Sequence, residues 1–140
     1  MGIKSTYSVT CGDVILVKNP DEDKPVPFVV ITHPEVASGT ALMVAILGTD
    51  ESESYTVPIG THEYRGIEED SYADFSTCID ANMKTVACAL TTDETETVIR
   101  LEAMPEPVVR RIQLAARDCS HLSPRKQEIL SKTLSGLATP

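Results

Sequence analysis

The chain has 140 residues, of which 41% are hydrophobic and 24% are charged, and its formal net charge is −9. That length suits one domain with one core, which can fold without a metal ion or a disulfide. The negative charge argues against unselective binding to nucleic acid and against duplex DNA as a ligand, because such binding depends on Lys and Arg side chains that displace counterions from phosphates.

Short apolar runs separated by turn residues fill most of the first two thirds of the chain, a pattern typical of antiparallel strands. In the run Thr40–Leu47 apolar residues occupy both faces, which predicts a central strand. In residues 54–59 apolar and polar side chains alternate, which predicts a strand with one face in solvent. The predicted strands are Asp13–Lys18, Phe28–Ile31, Thr40–Leu47, residues 54–59 and Ser71–Ile79.

Turn signals separate these strands. Asn19–Pro27 contains three prolines and an acidic triplet, so we predict an exposed loop there. Asp80–Asn82 is predicted to turn the chain. Two further strands, Thr85–Leu90 and Thr95–Leu101, are predicted to flank a hairpin at Thr91–Glu94. Because no helix is predicted between the strands, the pattern favours a small antiparallel barrel or a sandwich.

After Met104 the apolar residues recur at helical spacing. The first helical stripe consists of Val108, Val109, Ile112, Ala115, Ala116 and Cys119. Ser123 and Pro124 suit the N-cap and the first turn of a second helix, and Gly136 is expected to end it. We therefore predict a mostly-β single domain over residues 1–140, with a barrel at about 10–102 and one or two C-terminal α-helices at about 105–136.

The cysteines and the start of the chain bear on location. The cysteines are widely spaced and form no Cys-x-x-Cys pair, which favours reduced, mostly buried thiols over a zinc site. They are Cys11, Cys78, Cys88 and Cys119. No run of residues approaches the ~20 apolar residues of a membrane span, and Met1–Ser8 lacks the apolar core of a signal peptide. We expect a cytoplasmic protein with no membrane contact, no metal and no cofactor.

Residues 60–75 contain the densest group of side chains that can do chemistry. His62 could act as a general base and Arg65 could bind a phosphate, while Asp70 and Ser71 could position the substrate. That set suits RNA cleavage, in which a 2′-hydroxyl loses a proton and a phosphorane must be stabilised.

The same residues also have a purely structural interpretation. In it the aromatic side chains fill the core or its rim, and Asp70 and Ser71 cap the turn into the next strand. Arg65 then pairs with Glu68 or Glu69 on the surface. The aromatic residues concerned are Tyr64, Tyr72 and Phe75.

Several motifs, taken in order, resemble the MazF/PemK family of toxin-type ribonucleases. They are Gly12–Val17, Pro27–Ile31, Thr40–Leu47 and the pair Asp70-Ser71. The resemblance covers about residues 10–80 and implies an SH3-like barrel with a C-terminal helix, a homodimer, and a toxin–antitoxin system with a cognate antitoxin as partner. It also implies metal-independent cleavage of single-stranded RNA.

The chain departs from the family at two positions that bear on catalysis. The family has an arginine immediately before the proline of the second strand, where Val26 stands here. It has a Ser or Thr at the end of the third strand, where Leu47 stands. The nearest hydroxyl is that of Thr49, and the nearest cations are those of Lys18 and Lys24.

Two functional hypotheses follow. In the first, the chain is an endoribonuclease with a non-standard site, whose catalytic residues are His62, Arg65, Asp70 and Ser71. Contacts to RNA or to a partner would come from Lys18, Lys24, Thr49, Tyr64 and Tyr72. In the second, a non-catalytic relative acts as a protein-interaction or regulatory module. It is motivated by the absent arginine and by the formal charge of −12 on the first 105 residues, since residues 106–140 carry six basic and three acidic side chains.

Overall fold

The computed structural model describes residues 8–18, 25–48, 56–92, 98–120 and 122–138. Its strands are β1 (Val14–Val17), β2 (Val26–Val30), β3 (Thr40–Leu47), β4 (Thr56–Ile59), β5 (Ser71–Asn82) and β6 (Val98–Arg100). Its helices are α1 (Met83–Thr92), α2 (Glu106–Arg117) and α3 (Pro124–Ala138), and a 3₁₀ turn spans Pro34–Ala37.

The strands form one antiparallel sheet in the order β4-β5-β3-β2-β1-β6. Strand β3 lies inside the sheet and six of its eight residues are buried, as its apolar sequence predicts. Its register with β5 shifts between Val44, which faces Cys78, and Ala45, which faces Asp74. The extra residues on β5 form a bulge, and a bulge bends its strand.

Each face of the sheet carries an apolar core. The larger core lies against α2 and α3 and includes Val29, Leu42 and Ile112. The smaller core lies against α1 and includes Val30 and Met43. Because successive side chains of a strand point to opposite faces, both faces are covered only if the strand is apolar throughout.

The sheet curls around α1. This helix contacts both β5 and β6, which are separated by three strands. The concave face contains an apolar groove of about 200 Å³. Ile79, which is 44% exposed, lies on this groove. Within the described ranges, the edge strands β4 and β6 are not paired with each other, so the sheet is open.

The prediction of an antiparallel sheet followed by two helices is confirmed. Strands lie within the predicted runs 13–18, 40–47 and 54–59, and β5 begins at Ser71 as predicted. Within the described ranges, helices and strands hold nearly equal numbers of residues, so this part of the chain is a mixture of sheet and helix and is less dominated by strands than we predicted. The barrel stays a prediction.

The predicted strand at Thr85–Leu90 and the predicted hairpin at Thr91–Glu94 are wrong, because α1 occupies Met83–Thr92. The Oδ1 atom of Asn82 accepts hydrogen bonds from the backbone N–H groups two and three positions along, at 2.9 and 3.1 Å. Asn is a favoured N-cap residue because its side chain satisfies donors that the first turn of a helix leaves free. Of the hairpin, residues 93 and 94 lie outside the described ranges.

Two predicted turns contain strand residues. β5 continues through Asp80–Asn82, because these residues pair with the first three residues of β3. The last two residues of the predicted loop Asn19–Pro27 belong to β2, where they pair with β1. Pro27 is tolerated there because the ladder between β2 and β3 begins only at Phe28. Residues 19–24 lie outside the described ranges.

The two C-terminal helices begin where the sequence predicts. The hydroxyl of Ser123 accepts the backbone N–H of Lys126 at 3.3 Å, as an N-cap does. Gly136 does not end α3, which runs to Ala138. A glycine costs a helix only about 1 kcal/mol, so one near the C-terminus does not by itself stop it. No helix within the described ranges is long and apolar enough to cross a lipid bilayer.

A buried glutamine joins α2 to the sheet. Gln113 is 2% exposed. Its Nε2 atom donates to the backbone carbonyl of Ile31 at 2.8 Å and to the sulfur of Cys11 at 3.4 Å. The polar side chain on the buried face of α2 therefore satisfies a carbonyl just past the end of β2.

We expect Gln113→Leu to lower the free energy of unfolding by about 1–3 kcal/mol, because the buried carbonyl of Ile31 would lose its donor. Urea denaturation at neutral pH measures the change. Gln127→Leu is the matched control, since Gln127 is only half-buried and the carbonyl of Ala116, one of its two acceptors, keeps the backbone N–H of Cys119 as a donor at 3.0 Å. Equal stability of Gln113→Leu and the parent would contradict this role.

Candidate functional site

The predicted catalytic residues lie in or beside the segment 60–70, which connects β4 to β5. A turn closes its first part, where the backbone N–H groups of Glu63 and Tyr64 donate to the carbonyl of Gly60 at 2.9 and 3.3 Å. The Oδ1 atom of Asp70 accepts the backbone N–H of Thr61 at 3.0 Å. The two ends of the segment are therefore held together, which fixes the side chains between them.

Tyr64 anchors the segment to the rest of the fold. Its side chain is 2% exposed, and its hydroxyl donates to the backbone carbonyl of Glu102 at 2.5 Å. Burial, with a smaller contribution from the charge of Glu102, raises the pKa of Tyr64 to about 12. Gly66 leaves room for this ring, because a Cβ atom there would lie 2.2 Å from the tyrosine oxygen.

An ion pair ties the same segment to α2. The Nη1 atom of Arg111 lies 2.6 Å from Oε2 of Glu63, and its Nη2 atom donates to the carbonyl of Pro58 at 3.0 Å. Oε1 of Glu63 accepts the backbone N–H of Gly60 at 3.0 Å. The hydrogen bond from Arg111, followed by the one from Gly60, lowers the pKa of Glu63 from 4.5 to about 2.

This pKa sets a testable pH dependence. A carboxylate with a lowered pKa stabilises the fold above its ordinary pKa, and that contribution is lost as pH falls through the folded value. We expect the difference in stability between the parent and Glu63→Gln to be constant above about pH 5 and to shrink between pH 4.5 and about 2. Denaturant titrations across this range measure it. A difference that does not change with pH would contradict the assignment.

His62 and Arg65 line one cavity of about 200 Å³. Both side chains are exposed, and no hydrogen bond or ion pair within the described part of the chain engages either of them. Among the described residues, the lining consists of His62, Glu63, Tyr64, Arg65, Glu102, Ala103 and Pro105. Two of these residues, Glu63 and Glu102, carry carboxylates. That of Glu63 is neutralised by Arg111, so Glu102 supplies the remaining negative charge of the cavity.

Asp70 and Ser71 do not line this cavity. Asp70 is exposed and holds the turn through Thr61. Ser71 is 6% exposed, and its hydroxyl donates to the carbonyl of Glu69 at 2.9 Å. These contacts match the structural interpretation of the two residues, whereas the predicted pairing of Arg65 with the neighbouring glutamates is absent from the described ion pairs.

The predicted RNA or partner contacts are scattered. Lys18 is exposed just after β1, Tyr64 is buried, and Tyr72 is half-buried in β5. Lys24 and Thr49 lie outside the described ranges. Of the three described residues, Tyr64 alone lines the cavity with His62 and Arg65.

The two positions at which the chain departs from the family pattern lie on neighbouring strands, Val26 at the start of β2 and Leu47 at the end of β3. Each stands two residues beyond the pair Phe28 and Ala45, at which the ladder between these strands begins. Beyond Leu47, a Cβ atom added at Gly48 would lie 2.6 Å from Oε1 of Glu69. This corner therefore presents two apolar side chains and a nearby carboxylate, a poor environment for a phosphate.

Two residues that shape the cavity could not be found from the sequence. Both lie far along the chain from His62: Glu102, between β6 and α2, meets the segment through the hydroxyl of Tyr64, and Arg111 meets it because α2 packs against β4. No local spacing marks either residue. Within the described ranges, no group of three or more His, Cys, Asp or Glu side chains is arranged to hold a metal ion.

In comparisons with known proteins, no family model and no curated protein sequence matches this chain. Function is therefore inferred from the geometry of the site. The cavity brings together an imidazole, a guanidinium and a carboxylate on the surface, held by a segment that is fixed at both ends and through Tyr64.

Proposed function

We propose that the protein is a divergent MazF/PemK-like toxin-type protein that cleaves single-stranded RNA without a metal ion. The observation that carries this proposal is that His62 and Arg65 line the same surface cavity. An imidazole can take the proton of a 2′-hydroxyl, and a guanidinium can hold a phosphate through two parallel hydrogen bonds.

Two features support the proposed membership of this family and its SH3-like barrel. They are the order of the motifs along the chain and the curvature of the sheet. The Asp-Ser pair of the resemblance stands at the start of β5, whose first residue is Ser71. The sheet curls until α1 touches both β5 and β6, and a small barrel needs such curvature. The two helices after β6 supply the C-terminal helical part that the family also has.

The proposed reaction is an internal transfer at phosphorus. His62 takes the proton from the 2′-hydroxyl, whose oxygen forms a bond to the adjacent phosphorus. The bond from phosphorus to the 5′-oxygen breaks, that oxygen takes a proton from water, and the hydroxide so formed takes the proton that His62 holds. Arg65 stabilises the negative charge that builds on the phosphorane oxygens. The products are a 2′,3′-cyclic phosphate and a free 5′-hydroxyl.

Incubation of the pure protein with a long single-stranded RNA in EDTA tests the proposal. Fragments ending in cyclic phosphate are expected, and Arg65→Ala should cleave about 10² to 10³ times more slowly. Arg117→Ala is the control, because it removes the same charge at the far end of α2, where Arg117 is exposed and pairs with the exposed Asp118 at 3.6 Å. Intact RNA after long incubation would refute the proposal.

A second candidate, a non-catalytic relative that binds a protein partner, is favoured by the apolar pair Val26 and Leu47. These residues stand where the family has its arginine and its hydroxyl, and the surrounding charge is acidic. In this case RNA stays intact both in EDTA and with added Mg²⁺. The protein would instead form a stoichiometric complex with a purified antitoxin-type partner in size-exclusion chromatography.

The resemblance extends the proposal to assembly and location. It implies a homodimer, an antitoxin as partner, and a cytoplasmic site of action, where RNA is available and thiols stay reduced. Sedimentation velocity separates the 15.2 kDa monomer from a dimer of twice that mass. A single monomeric species at micromolar concentration would contradict the dimer and leave the cleavage assay to decide the chemistry.

A further inference from the structure

A second cavity, separate from that of His62 and Arg65, lies between the start of β1, the end of β2 and the start of α2. Its volume is about 320 Å³. Its lining consists of Cys11, Gly12, His33, Met104, Glu106, Val109, Arg110 and Gln113. None of these residues lines the first cavity, and the cleavage reaction proposed above does not use them.

Hydrogen bonds fix the walls of this second cavity. The backbone N–H of Gly12 donates to the last carbonyl of β2 at 2.8 Å, and the carbonyl of Gly12 accepts the N–H of Met104 at 2.8 Å. The backbone N–H of His33 donates to the hydroxyl of Thr133, which is fully buried, at 3.0 Å. The cavity is therefore already formed without a ligand, as small-molecule sites usually are.

The lining combines an apolar wall with two opposite charges. Met104 and Val109 are buried and form the apolar part. Glu106 and Arg110 are exposed and lie one helical turn apart on α2. No ion pair within the described ranges joins either of them to another residue. Gln113, at the floor, adds a buried amide.

The thiol of Cys11, which lines the second cavity, is suited to contact with a ligand and not to reaction with one. Burial, followed by the carboxylate of Asp13, raises the pKa of the Cys11 thiol to about 12. A thiol with so high a pKa stays protonated at neutral pH, and the thiolate is the form that attacks electrophiles. Cys11 therefore contributes a polarisable wall and no nucleophile.

We propose that this cavity binds a free amino acid with an apolar side chain. The carboxylate of the ligand pairs with Arg110, its ammonium group pairs with Glu106, and its side chain lies against Met104 and Val109. A zwitterion satisfies both charges at once, which neither a simple amine nor a simple carboxylate does.

The size of the cavity agrees with such a ligand. A water molecule takes up about 30 Å³ in the liquid, so a cavity of about 320 Å³ holds on the order of ten non-hydrogen atoms. Leucine and methionine are of this size.

Titration of the ¹⁵N-labelled full chain with L-leucine and L-methionine tests the proposal. Saturable shifts are expected at the side-chain amide of Gln113 and at the backbone N–H groups of Gly12 and His33. N-acetyl-leucine lacks the ammonium group and leucinamide lacks the carboxylate, so each should bind at least about tenfold more weakly. Glu106→Gln and Arg110→Gln should weaken leucine binding similarly, while Glu128→Gln on α3 should not.

Three outcomes would overturn the proposal. The first is the absence of any saturable shift with leucine and methionine at about 10 mM. The second is binding of the capped analogues as tight as that of leucine. The third is full binding of leucine by both charge variants. Because Glu106 and Arg110 are exposed, their variants are expected to keep the parental unfolding transition, which a denaturant titration checks.

Discussion

If the proposed RNA cleavage takes place, replacing His62 by alanine is expected to lower its rate by a factor of about 10² to 10⁴, the usual contribution of a positioned general base. The side chain is exposed and makes no hydrogen bond within the described ranges, so its loss should leave the stability of the fold unchanged. Rates of fragment formation in EDTA, measured beside unfolding curves for the same preparations, separate a chemical effect from a structural one.

Chemical rescue makes this test specific. Free imidazole can enter the cavity that His62→Ala enlarges and can take the proton of the 2′-hydroxyl, so it should restore part of the lost rate. Thr61→Ala is the matched control, because it shortens a neighbouring exposed side chain of the same turn and keeps the backbone N–H that bonds to Asp70. If His62→Ala cleaves as fast as the parent, the assigned base is wrong.

Local sequence patterns predicted secondary structure correctly where all the signals in a segment favour the same type of element. The β-branched run at Val14–Val17 and the apolar run at Thr40–Leu47 are both strands. The region after Asn82 shows where local patterns conflict. Its threonines and valine favour a strand, while Met83, Val86 and Leu90 recur at helical spacing and pack on the smaller core. The cap supplied by Asn82 favours the helix, and it could be recognised only once the end of β5 was known.

The alternation of β5 could not be predicted in full because of its bulge. Strict alternation sets Asp74 and Cys78 on the same face, but they pair with Ala45 and Val44, which are consecutive and therefore point to opposite faces. Residues 75–77 have no partner across the register shift with β3, so the strand bends between Asp74 and Cys78. A bulge depends on the partner strand, which a single run of sequence does not reveal.

The candidate site likewise combines residues that the sequence predicted with residues that only the fold revealed. His62 and Arg65 are three positions apart, and the sequence alone suggested that they act together. Glu102 and Arg111 reach the segment through tertiary contacts across 38 and 48 positions of the chain. Sequence separation of this size leaves no periodic signal, so only the fold shows that Glu102 lines the cavity and that Arg111 neutralises Glu63.

Replacing Tyr64 by alanine is expected to lower the free energy of unfolding by about 3–5 kcal/mol, because it removes a large aromatic side chain that is 2% exposed and leaves a cavity. Tyr64→Phe should cost only about 1 kcal/mol, since the carbonyl of exposed Glu102 can bond to water instead. Tyr72→Phe is the control, because the hydroxyl of half-buried Tyr72 makes no bond within the described ranges. Urea denaturation measures all three variants.

Gly66 supplies an independent test that Tyr64 occupies this position. A methyl group on Gly66 would meet the tyrosine oxygen at 2.2 Å and the ring carbons at 2.3 and 2.4 Å, so Gly66→Ala must displace the ring. Overpacking of this kind costs about 1–3 kcal/mol. In a Tyr64→Ala background the clash has no partner, so the same substitution should cost almost nothing there. A double-mutant cycle isolates this coupling, and additive costs would show that the ring does not pack against Gly66.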